Sequence, residues 1–193
     1  MSNQVNLVGE VVTDFTYSHT LYGEAFYNVT LSVKRNSDKV DMIPLLISER
    51  LMDMSKSYIN NYVHVVGEFR SYNQHDDDKN RLKLYVFVTA IDLTGSSNVN
   101  DVFLEGYLCK TPTYRRTPLG REISDVMLAV NRAYGKSDYI PCVLWGRNAQ
   151  YVRLLNAGNR IRVAGRIQSR EYNKNGEVKI AYELSVSLLE LSD

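Results

Sequence analysis

This chain is written twice, and that limits its possible folds more than any other property of the sequence. The stretch "NQVNLVGEV" from Asn3 and the stretch "NDVFLEGYL" from Asn100 align at an offset of 97 residues. At the same offset Gly23 meets Gly120, Leu31 meets Leu128, Val33 meets Val130, Arg35 meets Arg132, and Ile43-Pro44 meets Ile140-Pro141. Further on the offset becomes 98, pairing Val65 with Val163, Gly67 with Gly165, Ser71 with Ser169, Val88 with Val186 and Leu93 with Leu191. A repeat with one single-residue shift predicts two domains of one architecture, residues 1–95 and 99–193. The polar "TGSSN" from Thr94 is the linker between them.

Each copy reads as strands around one helix. In the second, "DVFLEGYLC" alternates, "PTYRRTPLGR" supplies a turn, and "EISDVMLAVNR" alternates again before the loop "AYGKS". After the strand "DYIPCVLWGR" comes "GRNAQYVRLLNAGN", where Ala149, Val152 and Leu155 share a helical face and Gly158 is placed to stop the helix. "RIRVAGRIQSREY", the turn "NKNG" and "EVKIAYELSVSLLEL" then form a hairpin. Five strands with a helix after the third is the order of an OB-fold barrel. The first copy predicts the same, with "SERLMDMSKSYINN" as its helix and Leu51, Met54 and Tyr58 on one side. The expected fold class is therefore all-β with one helix per repeat, two tandem five-stranded OB-fold barrels.

Such barrels host many activities, so a site has to be argued separately. The strand "DYIPCVLWGR" is apolar on both faces: Ile140, Cys142 and Leu144 point one way, Tyr139, Pro141, Val143 and Trp145 the other. A half-buried strand needs only one apolar face. The charge is also unevenly distributed. Residues 1–97 carry 9 Lys+Arg against 12 Asp+Glu, and residues 98–193 carry 14 against 10, most of the 14 being arginine.

The second copy resembles the bacterial single-stranded DNA-binding protein family over nearly its full length, through "NDVFLEGYL", "TPLGREISDVMLAVNR", "DYIPCVLWGRNAQYV", "LNAGNRIRVAGRIQSREY" and "NGEV". The first resembles it more faintly, through "NQVNLVGEV", "IPLLI" and "VHVVGEFRSY". The resemblance implies aromatic side chains that stack on the bases of a wrapped strand, at Tyr134, Tyr139, Trp145 and Tyr172. On that reading the aliphatic set of the two-faced strand fills the barrel and its rings meet nucleobases. Stacking of this kind is tolerant of sequence because every base has a π-face. The competing reading packs Tyr139 and Trp145 against the helix or a partner chain. Phosphate contacts would come from Arg115, Arg116, Arg121, Arg132, Lys136, Arg147, Arg166, Arg170 and Lys174, which interleave with the rings.

In the first copy the positions of Tyr134, Tyr139, Trp145 and Tyr172 hold Ser37, Met42, Ser48 and Gln74, and the last hairpin carries Asp76, Asp77 and Asp78. The second barrel is therefore expected to bind most of the DNA and the first to serve structure or assembly, with Tyr17, Tyr22, Tyr27, Lys34, Arg35 and Tyr72 available for weaker contacts. By resemblance, two barrels per chain imply a homodimer of four barrels. The family's acidic, Phe-ended tail has no counterpart after "LLELSD", which puts recruitment of repair or replication enzymes through such a tip in doubt.

Other functions fit less well. There is no phosphate-cradling glycine loop, no nucleophile elbow and no metal-ligand spacing, and His19, His64 and His75 are dispersed. No enzyme activity, cofactor or metal is expected. With no signal-peptide pattern, no membrane-length apolar run, and Cys109 and Cys142 in strand-like patterns, the expected location is the cytoplasm. A protein-docking accessory barrel of the primosome type, weak in nucleic-acid binding, is the alternative to a strand-coating role.

Overall fold

A computed structural model of the chain describes residues 2–77 and 79–192. The chain divides into two compact units, Gln4–Asp101 and the remainder. The first unit contains β1 (Asn3–Val11), β2 (Thr16–Leu21), β3 (Glu24–Lys34), β4 (Val40–Ser48), β5 (Tyr62–Asp76) and β6 (Lys79–Thr94). The second contains β7 (Val99–Leu108), β8 (Thr113–Arg116), β9 (Glu122–Asn131), β10 (Ser137–Trp145), the helix α1 (Gly146–Val152), β11 (Arg160–Lys174) and β12 (Glu177–Leu191).

In each unit five long strands close on themselves. In the second, β7 pairs with β11 and, at its far end, with β9 (Tyr107↔Ala129, Leu108↔Leu128). β9 pairs with β10, β11 with β12, and a short parallel pairing of β10 with β12 (Cys142↔Leu184, Leu144↔Val186) completes the ring. The first unit repeats every one of these pairings, down to the parallel contact of β4 with β6 at Leu45↔Val86 and Leu46↔Phe87. This is the five-stranded barrel expected from the strand order. The short strands β2 and β8 are additions, each forming a hairpin with the start of the strand that follows.

Closure requires backbone to pass tightly against backbone, and glycine supplies the room. A Cβ on Gly106 would run into the Ala129 carbonyl oxygen, and one on Gly165 into that of Ser185. Gly9 and Gly67 stand in the same relation to Ser32 and Phe87 in the first unit. At Gly165 and Gly67 the register also shifts by one residue, a β-bulge that bends the strand around the barrel. Inside the second ring lie Leu104, Leu128, Ile140, Leu144, Ile161, Val163, Ile167 and Leu184, all essentially inaccessible. Cys142 is among them, and burial pushes its thiol well above the ordinary cysteine range.

The expectation of one helix per repeat needs correction. Helix α1 is shorter than the pattern implied: beyond Val152 the chain tightens into i→i−3 bonds (Leu154 N to Tyr151 O, Leu155 N to Val152 O). The first unit has no helix at the corresponding place, since residues 49–61 form successive turns. Two local causes are visible. Asp53 accepts from the backbone N–H and hydroxyl of Ser55, an Asx turn that competes with helical bonding. Space decides the rest. In the second unit the small Ser124 lies where the helix arrives and donates its hydroxyl to Ala149 O. In the first that position is Tyr27, which packs edge-on against Phe15 and Tyr17, while Phe15 packs edge-on against Tyr58. Rings fill the end of this barrel in place of a helix.

Gly165→Ala is expected to destabilise the chain by about 1–3 kcal/mol, since strand backbone rather than a side chain must move. A urea-unfolding midpoint unchanged from wild type would contradict this account of closure.

Candidate functional site

Strand β10 separates its two apolar faces as its alternation requires. Ile140, Cys142 and Leu144 are sealed inside the barrel. On the outer face Tyr139 keeps 43% of its surface exposed, Pro141 and Trp145 are half-buried and Val143 is buried. Neighbouring strands widen this face in register. Trp145 lies opposite Ile123, and Ile123 opposite Arg115. Val143 lies opposite Ser185, and Ser185 opposite Arg166. Alternation along β11 places Arg166, Gln168, Arg170 and Tyr172 on one side of the strand, with Ile167 buried on the other.

Two further rings stand at the edges of the surface. Tyr172, 39% exposed, lies near the tip of the β11–β12 hairpin, whose Asn175 and Gly176 both adopt left-handed backbone. Tyr134 occupies the loop between β9 and β10 with φ 65° and ψ 32°, and its side chain is fully exposed. A bulky side chain in that backbone region is uncommon. All four predicted rings are therefore at least partly open to solvent.

The nine basic side chains fall into two groups. Arg115 bonds Asp125 (Nε to Oδ2, 2.8 Å), Arg116 bonds Glu122 (2.9 Å), Arg170 lies 3.4 Å from Glu183, and Arg132 grips Asp138 with two nitrogens at 3.1 and 2.6 Å. Arg121, Lys136, Arg147, Arg166 and Lys174 have no carboxylate within ion-pair distance among the described residues. Arg121 lies over Trp145, its guanidinium carbon 4.9 Å from the ring centroid, while Arg166 makes only a long bond to Gln168. Sequence reasoning selected the cations and overlooked the acids beside them. Glu122 was legible, because it sits directly opposite Arg116 across the predicted hairpin. Glu183 was not: buried, it also accepts from Gln168 at 2.9 Å, a partnership fixed only by the β11–β12 register.

A second group anchors the β8–β9 hairpin to the helix. Arg153 lies 4.2 Å over the ring of Tyr114. Tyr114 hydrogen-bonds Glu122 and, against the opposing effect of burial, holds that carboxyl below its ordinary range, with Gln150 and Arg116 adding to the effect.

The first unit presents a different outer face. Met42, in the place of Tyr139, is 43% exposed, and Ser37 is exposed. Ser48, in the place of Trp145, is buried and donates to Glu24. Several of its rings are engaged with each other or with a cation: His19 stacks on Phe26, Phe26 lies 6.1 Å from Phe87, and Arg70 lies 3.9 Å over Phe87, while Tyr17, Tyr22 and Tyr72 are exposed. Asp76 and Asp77 are exposed at the last hairpin, while Asp78 lies outside the described residues.

Residues 99–192 match the family model described as the single-strand binding protein family. The chain is 36% identical over 88 residues to single-stranded DNA-binding protein B of Bacillus subtilis (strain 168), covering 42% of this chain and 78% of that protein. It is 39% identical over 103 residues to single-stranded DNA-binding protein 1 of Staphylococcus aureus (strain COL), covering 48% of this chain and 62% of that protein. In fold it is similar to the crystal structure of the wild-type single-stranded DNA binding protein from Thermus aquaticus, with a TM-score of 0.79 at 21% identity, covering 99% of this chain and 93% of that one. The chain belongs to the single-strand binding protein family. Among the described residues no helix is long and apolar enough to cross a membrane.

The acid partners differ in burial, and their removal should differ accordingly. Asp138→Ala is expected to destabilise by about 3–5 kcal/mol, because it strands a guanidinium held in a buried pair. Asp125→Ala, from an exposed pair, should cost less than about 1 kcal/mol. Urea titrations giving equal losses would contradict the distinction.

Proposed function

We propose that the chain binds single-stranded DNA without strong sequence preference, coating exposed strands and keeping them from re-pairing. The second barrel is the principal binding domain and the first is mainly structural. The observation that carries this reading is the outer face of β10, where exposed Tyr139 and half-buried Trp145, with Arg121 over its ring, stand in front of a filled barrel. Tyr134 and Tyr172 extend the rings to either side, and Arg121, Lys136, Arg147, Arg166 and Lys174 supply uncommitted positive charge. Bases stack on the rings while cations follow the backbone. A duplex, whose bases are already stacked on each other, cannot use the rings and binds more weakly. The protein's relatives carry this activity in their names. Two chains together would present four barrels; light scattering is expected to return the mass of a dimer, and the mass of a monomer would contradict that assembly.

The first barrel contributes less because its stacking positions carry Ser37, Met42, Ser48 and Gln74, and because its last hairpin carries exposed Asp76 and Asp77. Titrating each half separately with oligo-dT measures the division, and equal affinities would refute it.

Trp145 is the chain's single tryptophan, so its emission reports the site directly. Oligo-dT is expected to quench it, and Trp145→Ala should weaken binding by about 1–3 kcal/mol. With phosphates meeting mainly the five uncommitted cations, log affinity should fall with log salt at a slope of about −3.5. Confirmed binding without any quench would place the strand elsewhere on the molecule.

A further inference from the structure

Arg132 is the member of the basic set whose geometry is least suited to phosphate. Its Nε and one Nη both donate to Asp138, at 3.1 and 2.6 Å; its side chain is 23% exposed and that of Asp138 only 1%. Drawing the guanidinium out to a phosphate would leave a carboxylate buried without its charge partner. The pair sits at the neck of the loop 132–136, where the backbone N–H of Arg132 also donates to Lys136 O at 2.7 Å. On the far side of that neck Tyr134 and Gly135 take left-handed backbone (φ 65° and 72°), and the Tyr134 ring stands fully exposed.

The first copy carries the same device. Arg35 donates through Nε and Nη to Asp41, each at 2.7 Å, with Asp41 fully buried, and Arg35 N donates to Lys39 O at 2.7 Å. Asp38 there, aligned with Gly135, is also left-handed at φ 67°. The neck is thus kept in both copies, although the tip holds Ser37 in one and Tyr134 in the other. An ion pair retained where the ring is absent belongs to the loop's architecture and is not part of a ligand set.

We infer that Arg132 and Asp138 are a positioning pair: their bidentate clasp across the neck of loop 132–136 holds the Tyr134 ring out for stacking, and Arg132 itself does not contact phosphate. This rests on the reading of the second barrel as a single-strand platform. It divides that platform into groups that touch the strand and groups that aim them. Rigid presentation matters because an exposed ring on a slack loop must be ordered at each binding event, which weakens the contact.

The test uses the whole chain and a dye-labelled oligo-dT, with anisotropy followed across a salt series and thermal melts to confirm folding. Arg132→Gln and Asp138→Asn should each weaken binding about three- to tenfold, a fraction of what one stacked base contributes. In a Tyr134→Ala background neither should weaken it further, since the three residues act as one unit. The salt slope of Arg132→Gln should equal that of wild type. A slope shallower by about 0.7 would show Arg132 on a phosphate and overturn the inference. So would additive losses, or tighter binding by Asp138→Asn, the outcome expected if releasing Arg132 freed it for DNA. Should Arg132→Gln fail to fold, Asp138→Asn decides alone by the direction of its effect. Binding that depends on Trp145 but ignores Tyr134, Arg132 and Asp138 refutes the positioning role only. A wild-type chain that does not bind refutes the broader reading together with it.

Discussion

Everything the molecule displays depends on closing a ring of five strands around a core only a few side chains wide. The ring closes where backbone meets backbone, at Gly106 against Ala129 and at Gly165 against Ser185, and in the first unit at Gly9 and Gly67. With a Cβ at these points the strands could not approach closely enough to complete the pairings of β7 with β9 and β11 with β12. Once the ring is closed, Ile140, Cys142 and Leu144 fill its interior, and the opposite face of β10 is left for something other than stability. The outward display of Tyr139 and Trp145 is a consequence of closure.

The two copies separate what the scaffold requires from what the site requires. The glycines, the barrel pairings and the Arg–Asp clasps recur in both. The outer face does not. In the second unit Tyr134, Tyr139 and Tyr172 are exposed, Trp145 lies half-buried under Arg121, and five cations have no carboxylate partner among the described residues; in the first, Arg70 covers Phe87, His19 covers Phe26, and Ser48 donates to Glu24. The two copies thus share a frame and differ in the side chains that frame displays.

The positive charge of the second half is also less available than its count suggests. Asp125, Glu122, Glu183 and Asp138 each engage an arginine of the basic set. The exposed pairs hold their guanidinium groups weakly and can exchange a carboxylate for a phosphate. The buried pair at Asp138 cannot do so without stranding a charge. Burial, more than sequence position, sorts the arginines by how readily each could exchange its carboxylate for another anion.

Much of this was legible in the residues. Repetition at offsets of 97 and 98, alternation along each strand and the turn "NKNG" were sufficient for two barrels and their strand order, because periodicity and turn chemistry are local properties. The outward rings of "DYIPCVLWGR" followed from a period of two. The tertiary structure alone decided the helix and the arginines. The segment "SERLMDMSKSYINN" has a helical stripe, but Tyr27, Phe15 and Tyr58 occupy the end of the barrel where a helix would dock. Arg132 reads like any other basic residue near a tyrosine until the loop folds back and places it on Asp138. Partners separated along the chain and brought together by folding are invisible to a local pattern, and the cost of burying a charge exists only once there is an interior to bury it in.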